Sequence, residues 1–434
     1  MNDAYNRGQP DIGNSLFRNL PYLISIAACF LIIPGCEKSP PVNFRFNEVE
    51  WIRQKRSISA ELFDDRYKTE IGTILTTLFG TPDEPKFPYF LNEQAKEVIS
   101  FANLEMAAGA VKSDRQGEPR GLYREHCAHC HGITGDGAGP TSQMLNPYPR
   151  DFRLSKFKFK STPLRQPPTD HDLRTILKNG IPGTAMPSFR TLPDEQIEAL
   201  VHYVKYLTLR GQLERFLISE VAALDGQSII DMSLLASAQE SETTAAKARE
   251  QFEEQVYSMI GVPLQEDLLP KWINPERKIL KVPPAPAMFQ ESHAGHQQFV
   301  DEGRKLFYSK ANCKQCHGET GMGDGQLGFD DWTNDWLKSA NVLEPASYAD
   351  FIAAGALPPR QVKPRNLHLS VYRGGGHPND IYLRVANGIE GTPMPASTIL
   401  TTEETWKIVA YVLSLPYQDS KSSQSSVSEK GIAR

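Results

Sequence analysis

The stretch CAHCH at residues 127–131 recurs once in the chain, as CKQCH at residues 313–317. The pattern Cys-x-x-Cys-His is the attachment signature of c-type haem. Two cysteine sulfurs form thioethers with the haem vinyl groups and the histidine ligates the iron, so all three must stand on one turn of backbone. The sequence therefore predicts two covalently bound haems c. Their attachment residues are Cys127, Cys130, His131, Cys313, Cys316 and His317.

The cysteine pairs have two alternative interpretations that do not involve haem. A Cys-x-x-Cys pair alone is also found in redox dithiols and as half of a zinc site. A four-cysteine zinc site requires both pairs to meet in space, and nothing in the sequence demands that. The histidine that directly follows each pair favours haem.

Each motif leads into a glycine-rich loop, GITGDGAGP after His131 and GETGMGDGQ after His317. Glycine lets the backbone pass close to a flat cofactor and adopt positive φ without a Cβ clash. Neither loop has the Lys-Ser/Thr ending of a phosphate-binding P-loop. Both loops therefore fit a haem site better than a phosphate site.

A second repeated segment supplies candidates for the other axial position of each iron. Residues 178–188, KNGIPGTAMPS, align with residues 386–396, ANGIEGTPMPA, at a constant offset of 208. The aligned Met186 and Met394 are the expected ligands, because a Gly-Thr-x-Met-Pro loop is too polar and too kinked to be a packing stripe. The alternatives are a core methionine and bis-histidine ligation, with His171 and His377 as the rival ligands. Met144 and Met322 follow their histidines too closely to reach the opposite haem face.

This tandem repeat resembles a dihaem cytochrome c built from two class I cytochrome c domains. The resemblance covers about 115–210 and 295–418 and implies a mainly α fold with one haem in each domain. It also implies a helix before each motif that carries glycine and an aromatic residue, matched by GRKLFY from Gly303 and less fully by GLY at 121–123. Pro119 stands where the early glycine of the first domain often falls, which puts that helix contact in doubt.

The resemblance further implies a Pro-Arg pair directed toward the haem propionates in each domain. The matching residues are Pro149, Arg150, Pro364 and Arg365. An arginine fork suits a carboxylate. A solvated arginine is the alternative at each position.

The chain divides into six segments on these patterns. Short terminal helices are expected at 194–207 and 401–415, the second opened by the capping box Thr401-x-x-Glu404. The segments are a signal peptide and lipobox at 1–36, a helical N-terminal extension at 37–100, cytochrome c domains at 101–210 and 291–418, a helical and Pro-rich linker at 211–290, and a disordered tail at 419–434.

The N-terminal extension is expected to contain one amphipathic helix over residues 59–79. Ser59 is placed to cap its start and Gly80 to end it. The helix either packs onto the first haem domain or docks a partner, and the sequence does not separate these.

The second repeat contains an insertion. Nineteen residues separate His131 from Arg150, whereas 48 separate His317 from Arg365, so the insertion is 29 residues long. A loop of this length is usually functional or a lid. We expect it to shield the second haem or to contact another domain, with partner docking as a further alternative.

The N-terminus has the features of an exported lipoprotein. An apolar run of about 14 residues at 20–33 is too short to span a bilayer comfortably and reads as the core of a secretory signal. It ends in IPGC, which resembles a lipobox and makes Cys36 the expected lipidation site, although Pro34 is unusual there. A plain signal peptide or an uncleaved anchor is the alternative. Attachment of haem c resembles a periplasmic process, so we expect the periplasmic side of a bacterial membrane.

Formal charge is −5, from 47 Lys and Arg against 52 Asp and Glu, which argues against general nucleic-acid binding. The KFKFK run at 156–160 is expected to be a solvated face or, alternatively, to steer an acidic redox partner.

The expected function is electron transfer between respiratory redox partners, and not self-contained catalysis. Ligation by histidine and methionine saturates the iron and raises its reduction potential. One alternative is a dihaem subunit of a cbb-type haem-copper oxidase or of alternative complex III. Another is a haem enzyme, such as a dihaem peroxidase or a thiosulfate dehydrogenase, which needs an open or displaceable iron site.

Substitution of Cys36 tests the predicted lipid anchor. Cys36→Ala should abolish incorporation of a fatty-acid probe, because it removes the thiol that is acylated. The measurement is metabolic labelling followed by mass spectrometry, with wild-type protein as the reference. Unchanged labelling of the variant would show that the anchor is elsewhere.

Overall fold

A computed structural model describes residues 42–58, 60–88, 95–113, 116–234, 242–329, 331–340 and 344–418. Most of these residues are helical, and the strands form two short antiparallel pairs, which confirms the mainly α fold. The strands are β1 (Lys112–Ser113), β2 (Pro119–Arg120), β3 (Gly328–Phe329) and β4 (Gln361–Val362), paired β1 with β2 and β3 with β4.

The helices follow one another along the whole described chain. They are α1 (Glu48–Ser57), α2 (Arg66–Phe79), α3 (Ala95–Val98), α4 (Phe101–Ala107), α5 (Leu122–His126), α6 (Ala128–His131), α7 (Asp170–Asn179), α8 (Asp194–Glu220), α9 (Glu242–Val262), α10 (Leu269–Trp272), α11 (His296–Tyr308), α12 (Lys314–His317), α13 (Asp331–Ser339), α14 (Pro345–Ala353), α15 (Pro378–Asn387) and α16 (Thr402–Ser414).

Three sequence predictions concern residues outside this described part. They are the signal peptide with Cys36, the capping role of Ser59 and the tail at 419–434. Within the described ranges, no helix combines the length and the apolar character needed to cross a membrane.

Domain one is built around α8, which is far longer than the expected helix at 194–207. The expected apolar face is buried, including Ile197, Leu200 and Leu207. Leu213 and Leu217 extend that face beyond residue 207 and are also buried, so the helix continues to Glu220. Because each fully buried leucine contributes roughly 1.5–3 kcal/mol, packing favours continued helix there.

The N-terminal extension and most of the linker pack into the same hydrophobic core as domain one. Trp51, Ile74 and Phe79 from the extension are at most 2% exposed, as are Phe252 and Val256 from α9. The alternative in which the extension packs on the haem domain is therefore confirmed. These two segments are part of the first domain's body rather than separate modules.

The extension's helix begins later than expected. Residues Ala60–Leu62 form a 3₁₀ turn, and α2 starts at Arg66. Its end is as expected, since Gly80 adopts φ +68° and its N–H donates to the carbonyl of Thr76. Glycine takes this backbone conformation without the steric cost that a Cβ imposes.

Domain two is organised around the crossing of α11 and α16. The capping box at the start of α16 is present, with Thr401 and Glu404 each accepting a backbone N–H of the other. Gly303 lies at the crossing, where a Cβ would overlap the carbonyl oxygen of Lys407 and lie 3.1 Å from Cβ of Tyr411. The glycine is needed because the two backbones approach so closely.

Domain one replaces this crossing by a different arrangement, as the position of Pro119 suggested. Pro119 lies in β2, and the β1–β2 hairpin separates α4 from the motif helices α5 and α6. The helix that packs against α8 is α4, with Leu104 and Ala107 fully buried. The glycine of this repeat, Gly121, instead caps α5 at φ +76°.

The 29-residue insertion forms α13 and α14, which pack against α1. Trp336 and Phe351 stack with ring centroids 5.2 Å apart and contact Val49 and Ile52. This confirms the expected contact with another domain. Two ion pairs add to the contacts of the insertion. Lys156 Nζ lies 2.7 Å from Oδ2 of Asp335, and Arg56 Nη2 lies 2.6 Å from Oδ2 of Asp350.

Gly303→Ala tests the close approach of α11 and α16. We expect a loss of about 1–3 kcal/mol in stability, because the new methyl group overlaps the backbone of α16. Chemical denaturation of the haem-loaded protein measures it. Gly72→Ala on α2 is the matched control, since nothing lies within 4 Å of its added Cβ. That control should be neutral or stabilising by about 1 kcal/mol, and an equal response of both variants would contradict the close approach.

Candidate haem sites

The first motif histidine is held in one orientation by its surroundings. His131 lies at the end of α6, and its Nδ1 is 3.0 Å from the carbonyl oxygen of Arg150. The imidazole stacks on Phe152, with centroids 4.7 Å apart and planes 15° apart. An Nδ1–H that donates to a carbonyl leaves Nε2 as the metal-binding nitrogen. The backbone before Phe152 therefore sets which nitrogen of His131 can ligate iron.

Burial also keeps this histidine in the form that binds a metal. It lowers the pKa of His131 to about 4, against the opposing effect of the Arg150 carbonyl. Neutral imidazole has the lone pair that an iron ligand needs. Burial lowers the pKa of His317 in the same way.

The second histidine has the same placement with fewer contacts. His317 ends α12, and its buried Nδ1 has no hydrogen-bond partner in the described part of the chain. The backbone of Arg365 opposes the effect of burial on the pKa of His317 but does not reverse it. Leu367 stands where Phe152 stands in domain one. His317 is therefore held less firmly than His131, whose Nδ1 is 3.0 Å from the Arg150 carbonyl oxygen.

The glycine-rich loops fold tightly around both histidines. The N–H of Gly137 donates to the carbonyl of His131 at 2.9 Å, and that of Gly323 donates to the carbonyl of His317 at 2.8 Å. Both glycines adopt φ near +70°. A Cβ at Gly137 would lie 2.7 Å from the carbonyl oxygen of Pro149, so the loop packs directly on the Pro-Arg segment.

The two methionine loops have the same backbone and side-chain hydrogen bonds. The N–H of Ile181 donates to the carbonyl of Met186, and that of Ile389 to the carbonyl of Met394, both at 3.1 Å. The amide of Met186 donates to the hydroxyl of Thr184 at 3.1 Å, and that of Met394 to Thr392 at 3.2 Å. Because the two loops share these hydrogen bonds, they hold Met186 and Met394, the two candidate ligands, in the same conformation.

The rival ligands lie elsewhere. His171 is exposed on α7, and exposed His377 takes part in the capping box of α15 with Asp380. Met144 and Met322 are 78% and 49% exposed, whereas Met186 and Met394 are partly buried. These positions favour the two loop methionines as candidates.

The cysteines have the environment of attachment sites rather than of a redox dithiol. All four motif cysteines in the described chain are free of disulfides. Burial raises the pKa of Cys127 to about 12 and that of Cys313 to about 11. A redox dithiol depends on the opposite shift, a lowered thiol pKa. The described residues also contain no group of three or more His, Cys, Asp or Glu side chains that could hold a metal, so the two pairs do not meet as a zinc site.

Sequence reasoning missed two features beside the methionine loops. Arg373 donates from Nη2 to the carbonyl of Gly183 at 3.4 Å, while its Nε is buried without a partner. Lys160 pairs with Glu390 of the second methionine loop, their side chains 2% and 12% exposed. Lys160 is therefore buried and is not part of a solvated or partner-steering face. Of the two, only Arg373 could have been found from the sequence. It aligns with Arg165 at the offset of 208 that relates the two methionine loops.

Both sites fit haem c by these observations. Each has two thiols, a neutral imidazole with one nitrogen left for iron, a methionine loop and arginines for carboxylates. Arg373 is half-buried, and its Nε is buried without a partner among the described residues, which makes this a place that favours an anion.

Two protein-family models match this chain, one in each of the two repeats. Residues 114–204 match the model described as Cytochrome C oxidase, cbb3-type, subunit III. Residues 300–416 match the model described as Cytochrome c. The chain is a multi-domain c-type cytochrome. Cytochrome c domains imply covalently bound haem c.

Other comparisons add little about function. No curated protein matches the sequence. A solved structure, the Kuenenia stuttgartiensis reducing HAO-like protein complex Kustc0457/Kustc0458, is similar at 22% identity and a TM-score of 0.40. The match covers 70% of this chain and 99% of that chain. A similarity this low carries no inference about partners.

Haem stoichiometry tests the two sites separately. We expect two covalent haems in the wild-type protein and one in a Cys127→Ala/Cys130→Ala variant, because only the second motif then forms thioethers. A pyridine haemochrome assay with intact mass measures both. The matched variant Cys313→Ala/Cys316→Ala should also retain one haem. A wild-type stoichiometry of one, or haem extracted by acid acetone, would contradict the prediction.

Proposed function

We propose that this cytochrome is a dihaem electron carrier in which His131 and Met186 bind one iron and His317 and Met394 bind the other. Haem c supplies reversible one-electron chemistry at its iron when bound. The chain's residues set the ligands, the burial and the charge around it. No residue of either site is proposed as a catalytic acid, base or nucleophile.

The equivalence of the two methionine loops carries this proposal. Gly180 and Gly388, at φ +66° and +72°, end α7 and α15 and turn the chain into the loops. A Cβ at either position would lie 2.7–2.8 Å from the carbonyl oxygen of the loop methionine. The same hydrogen bonds then fix both methionines. The two sites therefore have the same construction, and neither has a special feature that would leave its iron with an open position.

Thioether ligation has two consequences for function. It favours ferrous iron and so raises the reduction potential. It also occupies the position at which peroxide or carbon monoxide would bind. Two saturated sites suit electron transfer, whereas a dihaem peroxidase needs one iron with a displaceable ligand.

We place the protein on the periplasmic side of a bacterial membrane, held by lipid on Cys36. This location rests on the export requirement of haem c attachment and on the IPGC sequence. Its partners are then redox proteins or a respiratory complex in that compartment. The second candidate function is a cytochrome subunit of such a complex, favoured by the match of residues 114–204 to a cbb3-type oxidase subunit.

Methionine substitutions test the carrier function. Met186→Ala should open haem one, and Met394→Ala haem two, to carbon monoxide, while lowering the potential of the altered haem. Removal of the soft ligand causes both effects. Carbon monoxide difference spectra and redox titration measure them, and the oxidised wild type should show a methionine–iron charge-transfer band.

Met144→Ala and Met322→Ala are the matched controls, because these methionines are exposed in the same two domains. Neither should change ligand binding or potential. A wild-type protein that lacks the charge-transfer band and turns over peroxide rapidly would replace the carrier by a peroxidase.

A further inference from the structure

The two domains contact each other through the methionine loops and the Pro-Arg arginines, in a reciprocal way. A Cβ added at Gly183 in the first loop would lie 3.0 Å from both Nη1 and Nη2 of Arg365 in domain two. A Cβ added at Gly391 in the second loop would lie 3.2 Å from Nη1 of Arg150 in domain one. Gly183 and Gly391 occupy the same place in the repeat, and both have φ +71°. Each arginine therefore lies against the methionine loop of the other domain.

Further contacts hold these segments together. Glu390 of the second loop pairs with buried Lys160 of domain one and accepts the backbone N–H of Arg165 at 3.3 Å. Asn387, at the end of α15, donates to the carbonyl of Thr162 at 3.2 Å. The Lys160 and Asn387 interactions are partly buried, whereas the Arg165 hydrogen bond is exposed, so the second methionine loop packs against domain one near the edge of the interface.

Positive charge accumulates at this interface on the domain-two side. Arg373 and Arg365 both lie against Gly183, and Arg373 keeps a buried Nε without a partner. Burial, followed by the charge of Arg365, lowers the pKa of Arg373, and no acidic group among the described residues opposes this. Arg365 itself is oriented by its Nε, which donates to the carbonyl of Val371 at 3.2 Å.

Two adjacent cations without a carboxylate are unfavourable unless an anion joins them. Haem brings carboxylates of its own in its propionate groups. Planar guanidinium forks match carboxylates in bidentate geometry. The arginines thus fit haem propionates, and they do so at the boundary that both methionine loops share.

We propose that Arg150, Arg365 and Arg373 form an interdomain cluster that binds haem propionates and couples the two haems, so that each arginine influences the potential of both. This inference rests on the proposed dihaem function. A cation close to iron disfavours the ferric state, whose charge is more positive, and so raises the potential. Because the cluster touches loops of both domains, its charge acts on both sites.

The test is a spectroelectrochemical titration of the intact dihaem protein carrying Arg365→Gln, Arg373→Gln or Arg150→Gln. A Met186→His or Met394→His background separates the two potentials and assigns each haem. We expect every arginine variant to lower both potentials, with about a tenfold change in the redox equilibrium of the less affected haem, or 59 mV for one electron.

Arg304→Gln is the charge-matched control, since Arg304 is an exposed arginine of the same domain on α11. It should leave both potentials within about threefold of wild type. Arg365→Lys, which keeps the charge but loses the planar fork, should recover part of the shift.

A shift confined to the haem of the substituted arginine's own domain, or no shift, would overturn the cluster. The same samples report haem stoichiometry and the methionine–iron band, which test the dihaem function itself. If one variant fails to load haem, the other two still test the inference, because each must lower both potentials.

Discussion

The placement of His131, the histidine of the first CxxCH motif, is the constraint on which the rest of its site depends. The neutral form of His131, its free ring nitrogen and its ring plane each depend on a different part of its surroundings. Burial lowers its pKa, the Arg150 carbonyl accepts from Nδ1, and Phe152 stacks on the ring. The glycine loop exists because that carbonyl must come close, which requires Gly137 to turn against Pro149 without a Cβ. The long α8 then closes the core over Phe152.

The repeats agree where they hold the cofactor and differ where they bury the domain. Domain two has the compact arrangement, with α11 crossing α16 at Gly303. Domain one lacks an equivalent helix crossing next to its motif, because the β1–β2 hairpin separates α4 from the motif. Its core is completed instead by the extension and by α9, whose Phe252 and Val256 are buried with Trp51. Domain two adds α13 and α14, which pack against α1 of the same extension. The extra sequence in each half is therefore used to join the two.

Local patterns predicted much of the haem sites, because the signals lie within a few residues. The CxxCH motifs, the aligned methionine loops, the capping box of Thr401 and the end of α2 at Gly80 depend on short-range spacing. Other features depend on residues distant in sequence. The burial of Lys160 requires Glu390, 230 positions later. The predicted start of α2 is too early because the apolar pattern continues through Leu62 and Phe63. Leu62 ends the 3₁₀ turn and Phe63 follows it, before the helix begins at Arg66. The length of α8 was missed because its partners lie in the extension.

The position of the interface constrains how the cytochrome can move. The segments that carry Met186 and Met394 are the same ones that contact the arginines of the opposite domain, only three residues from each methionine. Lys160 and Glu390 anchor the second of these loops to domain one through a buried ion pair, their side chains 2% and 12% exposed. Arg360 adds a second attachment, donating to the carbonyl of Gln143 at 2.5 Å and lying 4.0 Å over the ring of Tyr148. A hinge between the domains would therefore disturb both methionine loops at once. Electron transfer favours fixed distances, and an interface built from the methionine loops keeps the two CxxCH sites in one fixed relation.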